Sequence, residues 1–304
     1  MTDLVLSSYW RRGCWERIGD FFRAGVEMGF SCFEVSGLAD DAFYREIRPG
    51  AFAIASLHNP APGEMRNSEM RRADILLTSL DEERRQQAVA IARRTLEVAQ
   101  EYGARLVVLH VGQTGADQEL EENLKRLFAE GRIAGPEAGI VRQRLAGARL
   151  VRRQERMEAV RRSLDELILR AVDRGICLGV ENRTACEVPD WQELGEILSW
   201  YPEGPVGYLH DTGHAQVQEA LGLRPHVDWL RAYGHRLAGV HLHDSVKLDV
   251  HRAPGAGDLD WAGLAALVPA GVLRTVEVDD TVSREALLAG VEHLKSTGWA
   301  WEIN

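Results

Sequence analysis

The chain has 304 residues, of which 45% are hydrophobic and 27% are charged. This composition is ordinary for a globular protein and excludes a fibrous or intrinsically disordered chain. The formal net charge of -10 argues against broad binding to nucleic acid, because that affinity comes mostly from lysine and arginine side chains that neutralise phosphates.

Membrane and disulfide signals are also missing from the sequence. No stretch reaches about 18 consecutive apolar residues, and the opening MTDLVLSSYW lacks the basic and apolar regions of a signal peptide. The four cysteines form no CxxC pair, so a disulfide scaffold is not indicated. We therefore expect a cytoplasmic protein with neither a membrane partner nor a nucleic-acid partner.

Eight short apolar runs recur along the chain, each followed by a polar or glycine-containing turn and a helical pattern. They are residues 4–8, 32–36, 52–58, 106–110, 176–181, 206–211, 237–243 and 274–278. One intervening stretch, DEERRQQAVAIARRTLEVAQEYG, has apolar residues at helical spacing and ends in Gly103. Repeated βα units build a parallel sheet, and eight of them close a barrel. The predicted fold is an α/β (β/α)8 TIM barrel that forms one domain over residues 1–304.

The spacing of the units is irregular at one place, since about 65 residues separate the fourth and fifth runs. The excess predicts a helical insertion over about residues 116–158, interrupted at AGPEAG. Its arginine-rich part, VRQRLAGARLVRRQERMEAVRR, is either a solvated amphipathic surface or a lid over the barrel mouth that binds a phosphate or carboxylate.

Histidines and carboxylates stand at or just after the ends of six consecutive predicted strands. They are His58, His110, Glu181, Asp211, His214, His241, Asp249, His251 and Glu277. The C-terminal strand ends and the loops after them build the active site of a TIM barrel, so these side chains are predicted to meet at one rim. Because burying so many ionisable groups is costly without a cation, we predict a divalent metal at this rim.

Seven motifs in chain order carry a resemblance to a known superfamily: LHNP, LHVG, VENR, HDTGH, HLHDS, DVHRAPGAG and VEV. Together they resemble the xylose isomerase-like TIM barrels, which include sugar isomerases, sugar epimerases and endonuclease IV. The resemblance covers the whole chain apart from the insertion.

The resemblance implies two ligand sets. In the sugar-epimerase branch one metal is held by two glutamates, an aspartate and a histidine, which here are Glu181, Asp211, His241 and Glu277. In the endonuclease IV branch a trinuclear zinc cluster has further ligands, which match His58, His110, His214, Asp249 and His251. The expected cofactor is therefore one to three divalent ions, zinc or manganese, which His and carboxylate ligands suit.

Three functions are considered for this sequence, and we expect the first of them. It is isomerisation or epimerisation of a small sugar, polyol or keto acid, in which the metal holds the substrate while Glu181 and Glu277 exchange a proton. His214 is predicted to polarise the carbonyl or to bind the neighbouring hydroxyl. The predicted substrate-binding residues are Arg252, Trp10 and His243, and Tyr9 is placed near them at the pocket wall.

The second function is phosphoester hydrolysis by two or three zinc ions, as in endonuclease IV. Against DNA as its substrate stand the acidic loop GLADDAFYRE and the loop HNPAPGE, neither of which carries the basic and aromatic residues of a DNA-probing segment. The third is a metal-stabilised binding barrel without catalysis.

The C-terminal sequence GWAWEIN leaves the oligomeric state open. Its aromatic residues indicate either the interface of a homo-oligomer or core packing of Trp299 and Trp301 against the last helix.

Overall fold

A closed barrel of eight parallel strands forms the centre of the computed structural model, which describes residues 2–10, 15, 17–37 and 39–300. The barrel strands are β1 (Thr2–Ser7), β2 (Phe30–Val35), β3 (Ile54–His58), β4 (Leu106–Leu109), β6 (Cys177–Glu181), β8 (Val206–Asp211), β9 (Leu237–Leu242) and β12 (Leu273–Val276). The barrel closes between β1 and β12, where Val5 lies opposite Thr275. The predicted fold is confirmed, and each predicted run overlaps one barrel strand.

Two small antiparallel sheets follow the barrel strands. One pairs β5 (Gly112–Gln113) with β7 (Glu187–Val188), and the other pairs β10 (Asp244–Val246) with β11 (Asp249–Arg252). Both sheets are formed by loops that leave the C-terminal ends of barrel strands.

The helices surround the barrel and cap its loops. They are α1 (Ile18–Glu27), α2 (Asp41–Glu46), α3 (Asn67–Arg72), α4 (Glu82–Tyr102), α5 (Gln118–Ala129), α6 (Pro136–Leu150), α7 (Arg153–Arg174), α8 (Trp191–Trp200), α9 (Thr212–Ala220), α10 (His226–Tyr233), α11 (Trp261–Ala265) and α12 (Arg284–Ser296). A single turn of 3-10 helix, Gly234–Arg236, leads into β9.

Helix α4 illustrates how the sequence sets the bounds of a helix. The Asp81 carboxylate accepts hydrogen bonds from the backbone N–H groups of Glu83 and Arg84, which have no partner inside the helix. At the other end Gly103 takes the left-handed conformation, with φ of 76°. Between these caps, α4 buries its apolar face against the barrel and α7.

The extra length between β4 and β6 lies in α5 and α6. Helix α7 occupies the usual crossover position and packs against α4. Arg142 of α6 donates hydrogen bonds to the carbonyls of Leu221 and Ile133, which ties the inserted helices to the loop after α9.

An apolar floor lies beneath the polar rim inside the barrel. Leu106, Val108 and Leu209 form a separate buried cluster there. Because strand side chains alternate, Leu209 shares its face with Asp211 and Val108 shares its face with His110. Gly179 leaves room for this floor, since an added Cβ would lie 3.0 Å from a Leu106 methyl carbon.

Of the two tryptophans in the C-terminal segment, Trp299 packs in the core. Trp299 is buried, and its indole N–H donates a 2.7 Å hydrogen bond to the Trp261 carbonyl. Trp301 lies outside the described residues. Within the described ranges, the helices are all too short or too polar to cross a membrane.

Candidate metal centre

The barrel brings seven of the predicted side chains together at the C-terminal ends of its strands and their loops. These are His58, His110, Glu181, Asp211, His214, His241 and Glu277. All are buried except His110, which is partly buried. Asp211 and His110 point inward because each lies two residues after a side chain of the barrel floor, Leu209 and Val108 respectively.

His241 lies at the centre of this set. Its Nδ1 atom is 3.3 Å from a Glu277 oxygen and 3.7 Å from an Asp211 oxygen. On the other edge of the ring, Nε2 is 3.2 Å from Oε2 of Glu34. A histidine held through one nitrogen by a carboxylate presents its other nitrogen in a fixed direction, as metal-binding histidines do.

Glu34 was not predicted from the sequence. It is fully buried on β2, where its Oε2 also accepts a 2.6 Å hydrogen bond from the Ser56 hydroxyl and its Oε1 is 3.5 Å from His58 Nε2. The signal for it was a single carboxylate inside the apolar run SCFEV, since a buried charge needs a partner.

Glu181 is held by side chains from three directions. His110 Nε2 lies 2.7 Å from its Oε2, while His214 Nδ1 and Arg183 Nη1 each lie 3.1 Å from its Oε1. His214 is also 3.2 Å from Asp211 Oδ1. The histidine predicted to act beside Glu181 therefore contacts two of the carboxylates.

The carboxylates of this cluster are ionised. Burial opposes their ionisation, but His241 and His58 outweigh it and lower the pKa of Glu34 to about 2. In the same way, neighbouring histidines hold the pKa values of Asp211 and Glu277 well below the usual range. Burial likewise lowers the pKa of His58, but Glu277 and Glu34 raise it to about 9. Because a ligand must be unprotonated, metal binding would release such a proton.

The donor atoms fit a divalent ion. Four groups of His and carboxylate residues, among those the structure describes, have ligand atoms within 4.8 Å of one another, and two of the groups share His241. One is Glu181 with Asp211 and His241, and the other is Glu34 with His58, His241 and Glu277. Several of these buried atoms, including His58 Nε2 and His241 Nδ1, have no hydrogen-bond partner. Buried polar atoms without partners are rare, and an ion would satisfy them.

The two metal ligands predicted in the loop after β9, His251 and Asp249, take different positions. His251 contacts the rim, with Nδ1 3.1 Å from the Glu277 carbonyl, and burial together with His243 lowers its pKa to about 3. Asp249 does not join the cluster, because its side chain is 69% exposed and pairs with Arg252. Residues two apart in a strand normally share a face, but His251 has a φ of 59°, and this left-handed backbone breaks the alternation.

The predicted substrate-binding residues do not line the cavity of about 810 Å³ that opens above the cluster. The Arg252 guanidinium is engaged by Asp279 and Thr281 as well as Asp249. Trp10 is buried in the core, where its indole N–H donates to the Val282 carbonyl. His243 is buried behind Asp211, with Nε2 2.9 Å from Oδ2, and supports that carboxylate. We therefore place none of the three against the substrate.

A cavity of about 810 Å³ opens above the cluster. Its walls include Tyr9, Ser36, Asp40, His58, Arg66, Arg71, His110, Arg183, His251 and Glu277. Tyr9 forms part of the wall and packs against His251, with ring centroids 4.8 Å apart and ring planes tilted by 41°. Two arginines of the inserted helices are engaged elsewhere: Arg142 binds the Leu221 carbonyl, and Arg149 binds the carbonyl of Glu187 at 2.9 Å and the Glu193 carboxylate.

Comparisons with known proteins agree with this architecture. At the sequence level the chain is 26% identical over 193 residues to the uncharacterized protein y4fM of Sinorhizobium fredii, a match that covers 63% of this chain and 51% of y4fM. The chain thus spans about half the length of this curated relative.

Two crystal structures share the fold. One is 3-keto-D-glucoside 4-epimerase, YcjR, from E. coli, with a TM-score of 0.66 and 16% identity over 97% of this chain and 100% of that chain. The other is a D-tagatose 3-epimerase-like protein, with a TM-score of 0.68 and 17% identity over 98% and 97% of the two chains. The sequence model that describes the xylose isomerase-like TIM barrel matches residues 22–297, and the chain belongs to this family.

Proposed function

We propose that this protein is a metal-dependent epimerase or isomerase of a keto sugar. The observation that carries the proposal is the placement of Glu181 and Glu277. Glu181 ends β6 and Glu277 directly follows β12. Around the barrel, β8 and β9 lie between these two strands on one side, and four strands lie between them on the other. The two carboxylates belong to different ligand groups, each of which includes His241, and so are able to act on opposite faces of one carbon atom held between them. The names of the two structural neighbours, both of the epimerase type, support the same chemistry.

By the resemblance, Glu181, Asp211, His241 and Glu277 are the residues that would hold the ion, and they supply one nitrogen and three carboxylates. Glu277 and Asp211 lie 3.3 and 3.7 Å from His241 Nδ1, and Glu181 belongs to one group of ligand atoms with Asp211 and His241. Such a set suits zinc or manganese. When bound, a divalent ion polarises a carbonyl and makes the neighbouring C–H more acidic.

The proton transfer is assigned to the two glutamates. One glutamate, as a carboxylate, removes the proton from the carbon beside the carbonyl, and the other takes a proton from solvent and delivers it to the opposite face. His110 and Arg183 keep Glu181 ionised and fixed in direction, since they engage its two oxygens separately. His214, which contacts Glu181 and Asp211, is assigned the hydrogen bond to a substrate oxygen as part of this proposal.

The test is solvent deuterium exchange. A panel of ketoses is incubated in D2O with the zinc- or manganese-loaded protein and followed by NMR. We expect deuterium at the carbon beside the carbonyl of at least one ketose, and its loss in Glu277→Gln but not in the control Glu292→Gln, whose side chain is 69% exposed on α12. Equal exchange in Glu277→Gln would overturn the assignment.

One observation favours a second candidate, phosphoester hydrolysis by two or more ions. The additional groups His58–His110–Glu181 and His243–His251–Glu277 offer ligands beyond those of a single site. Hydrolysis of bis(p-nitrophenyl) phosphate that rises with a second equivalent of zinc, without exchange into any ketose, would favour this function over the first.

A further inference from the structure

A second chamber adjoins the cavity above the metal cluster. It has a volume of about 770 Å³, and the two chambers share Ser68, Arg71 and Arg183 in their walls. Each is within the range of roughly 300–1,000 Å³ that encloses a drug-sized ligand, and a six-carbon sugar is smaller than such ligands. The inner chamber alone therefore accommodates a monosaccharide, and the outer chamber is extra space.

A row of ion pairs forms the boundary between the chambers. Arg71 Nη1 lies 3.1 Å from Glu187 Oε1, and Arg183 Nε lies 3.1 Å from Glu187 Oε2. Arg183 then reaches the Glu181 carboxylate on the inner side. The outer chamber is therefore one side chain away from the proposed proton-transfer residue.

The inserted segment builds the far wall of the outer chamber. Gln118, Glu122 and Lys125 come from α5, and Gln113 comes from β5, which precedes it. An eight-stranded barrel closes without α5 and α6, so this wall is an addition to the fold rather than part of its core.

The carboxylates of the outer chamber are paired with cations of its own wall, which also includes Arg72. Lys125 Nζ is 3.0 Å from Glu121 and 2.9 Å from Glu122, while Glu187 is paired with Arg71 and Arg183. Each lining carboxylate thus has a lining cation as its partner. Such a wall offers many hydrogen-bond donors and acceptors but no large excess charge, which favours a neutral group rich in hydroxyls.

We propose that the substrate spans both chambers and is a keto sugar that carries a glycosyl unit on one of its hydroxyls, with the ketose unit over the metal cluster and the glycosyl unit in the outer chamber. The placement of the ketose rests on the proposed function. The placement of the glycosyl unit rests on the outer chamber itself.

The experiment compares D-fructose with isomaltulose and maltulose, two disaccharides in which a glucosyl unit is attached to fructose. Binding to the metal-loaded protein is measured by saturation-transfer NMR and titration. A few additional hydrogen bonds correspond to a gain on the order of tenfold, so at least one disaccharide is expected to bind about tenfold more tightly than fructose. Its glucosyl protons should receive saturation.

Lys125→Ala and Gln118→Trp test the chamber, the first by removing its central cation and the second by filling it. Both are expected to abolish the disaccharide preference and leave fructose binding unchanged. The matched control is Lys295→Ala, because Lys295 also pairs with a glutamate three residues away on a helix, at 2.7 Å, and is 28% exposed against 34% for Lys125. It should change neither ligand.

Three outcomes would overturn the inference: equal binding of fructose and both disaccharides, equal weakening of both ligand classes in the chamber variants, or a gain shown only by fructose 6-phosphate and lost in Lys125→Ala. Deuterium exchange in the same samples tests the proposed function separately. A disaccharide that binds through its glucosyl unit without exchanging would refute the chemistry and retain the chamber.

Discussion

Glu34 supports the metal centre through His241, and its removal should weaken metal binding. In Glu34→Gln the side chain keeps its shape but loses the charge that faces His241 Nε2 at 3.2 Å and His58 Nε2 at 3.5 Å. Replacing such carboxylate partners of metal-binding histidines costs about 10- to 100-fold in metal affinity. The expected loss is therefore about 1.4 to 2.8 kcal/mol of binding free energy.

The assay is calorimetric titration of metal-free protein with zinc and with manganese, with circular dichroism as a check on folding. Glu292→Gln is the control, since the same substitution on an exposed face of α12 should not alter affinity. A folded Glu34→Gln protein that binds both ions as tightly as the wild type would refute the role assigned to Glu34.

Three further predictions concern side chains around the site and the barrel. Arg85 is buried between α4 and α7, where it binds Glu82, Glu166 and the Ser163 hydroxyl. In urea denaturation, Arg85→Met should lower the free energy of unfolding by about 1–3 kcal/mol. Arg94 is exposed, so the control Arg94→Met should change it by less than about 0.5 kcal/mol. An added methyl at Gly213 would overlap the His243 ring, so Gly213→Ala should displace that ring from Asp211 and reduce metal affinity in the same calorimetric assay. Burial lowers the pKa of His226 to about 3, below its value of about 6.5 in an unfolded chain. Between these two pH values the unfolded state binds more protons than the folded state. The free energy of unfolding should therefore fall as the pH drops from about 6.5 toward 3. Urea denaturation at several pH values should show a smaller fall in His226→Gln.

A different result would contradict each of these three predictions. Equal loss of stability in both arginine variants would show that burial of the α4 arginine is not the cause. Unchanged metal affinity in Gly213→Ala would separate His243 from the metal centre. An identical pH dependence in wild type and His226→Gln would assign the acid sensitivity to other groups.

The barrel was predictable because its signals are local. Each strand is a short apolar run, and caps such as Asp81 and Gly103 mark the ends of α4 in the sequence itself. The rim residues followed from one rule, that the C-terminal strand ends of such a barrel meet, which brought His58 and Glu277 together across a separation of more than two hundred residues.

The differences between the expected and the observed positions have conformational causes. Asp249 was grouped with His251 by spacing, and the left-handed backbone at His251 turned the two side chains apart. Arg252 was expected to bind substrate, but the position of its partner Asp279 depends on the pairing of loops that no local pattern specifies. Glu34 was missed because a single carboxylate in a strand gives no periodic signal, although its burial between Phe33 and Val35 required a partner.

The most direct test of the metal centre is the metal content of protein purified without chelator, measured by elemental analysis alongside Asp211→Asn and Asp249→Asn. These substitutions make the same chemical change, at a buried carboxylate beside His241 and at a carboxylate that is 69% exposed. We predict one divalent ion per chain, lost in Asp211→Asn and retained in Asp249→Asn. A wild-type protein without metal, or with two or three ions whose number falls in Asp249→Asn, would contradict the account.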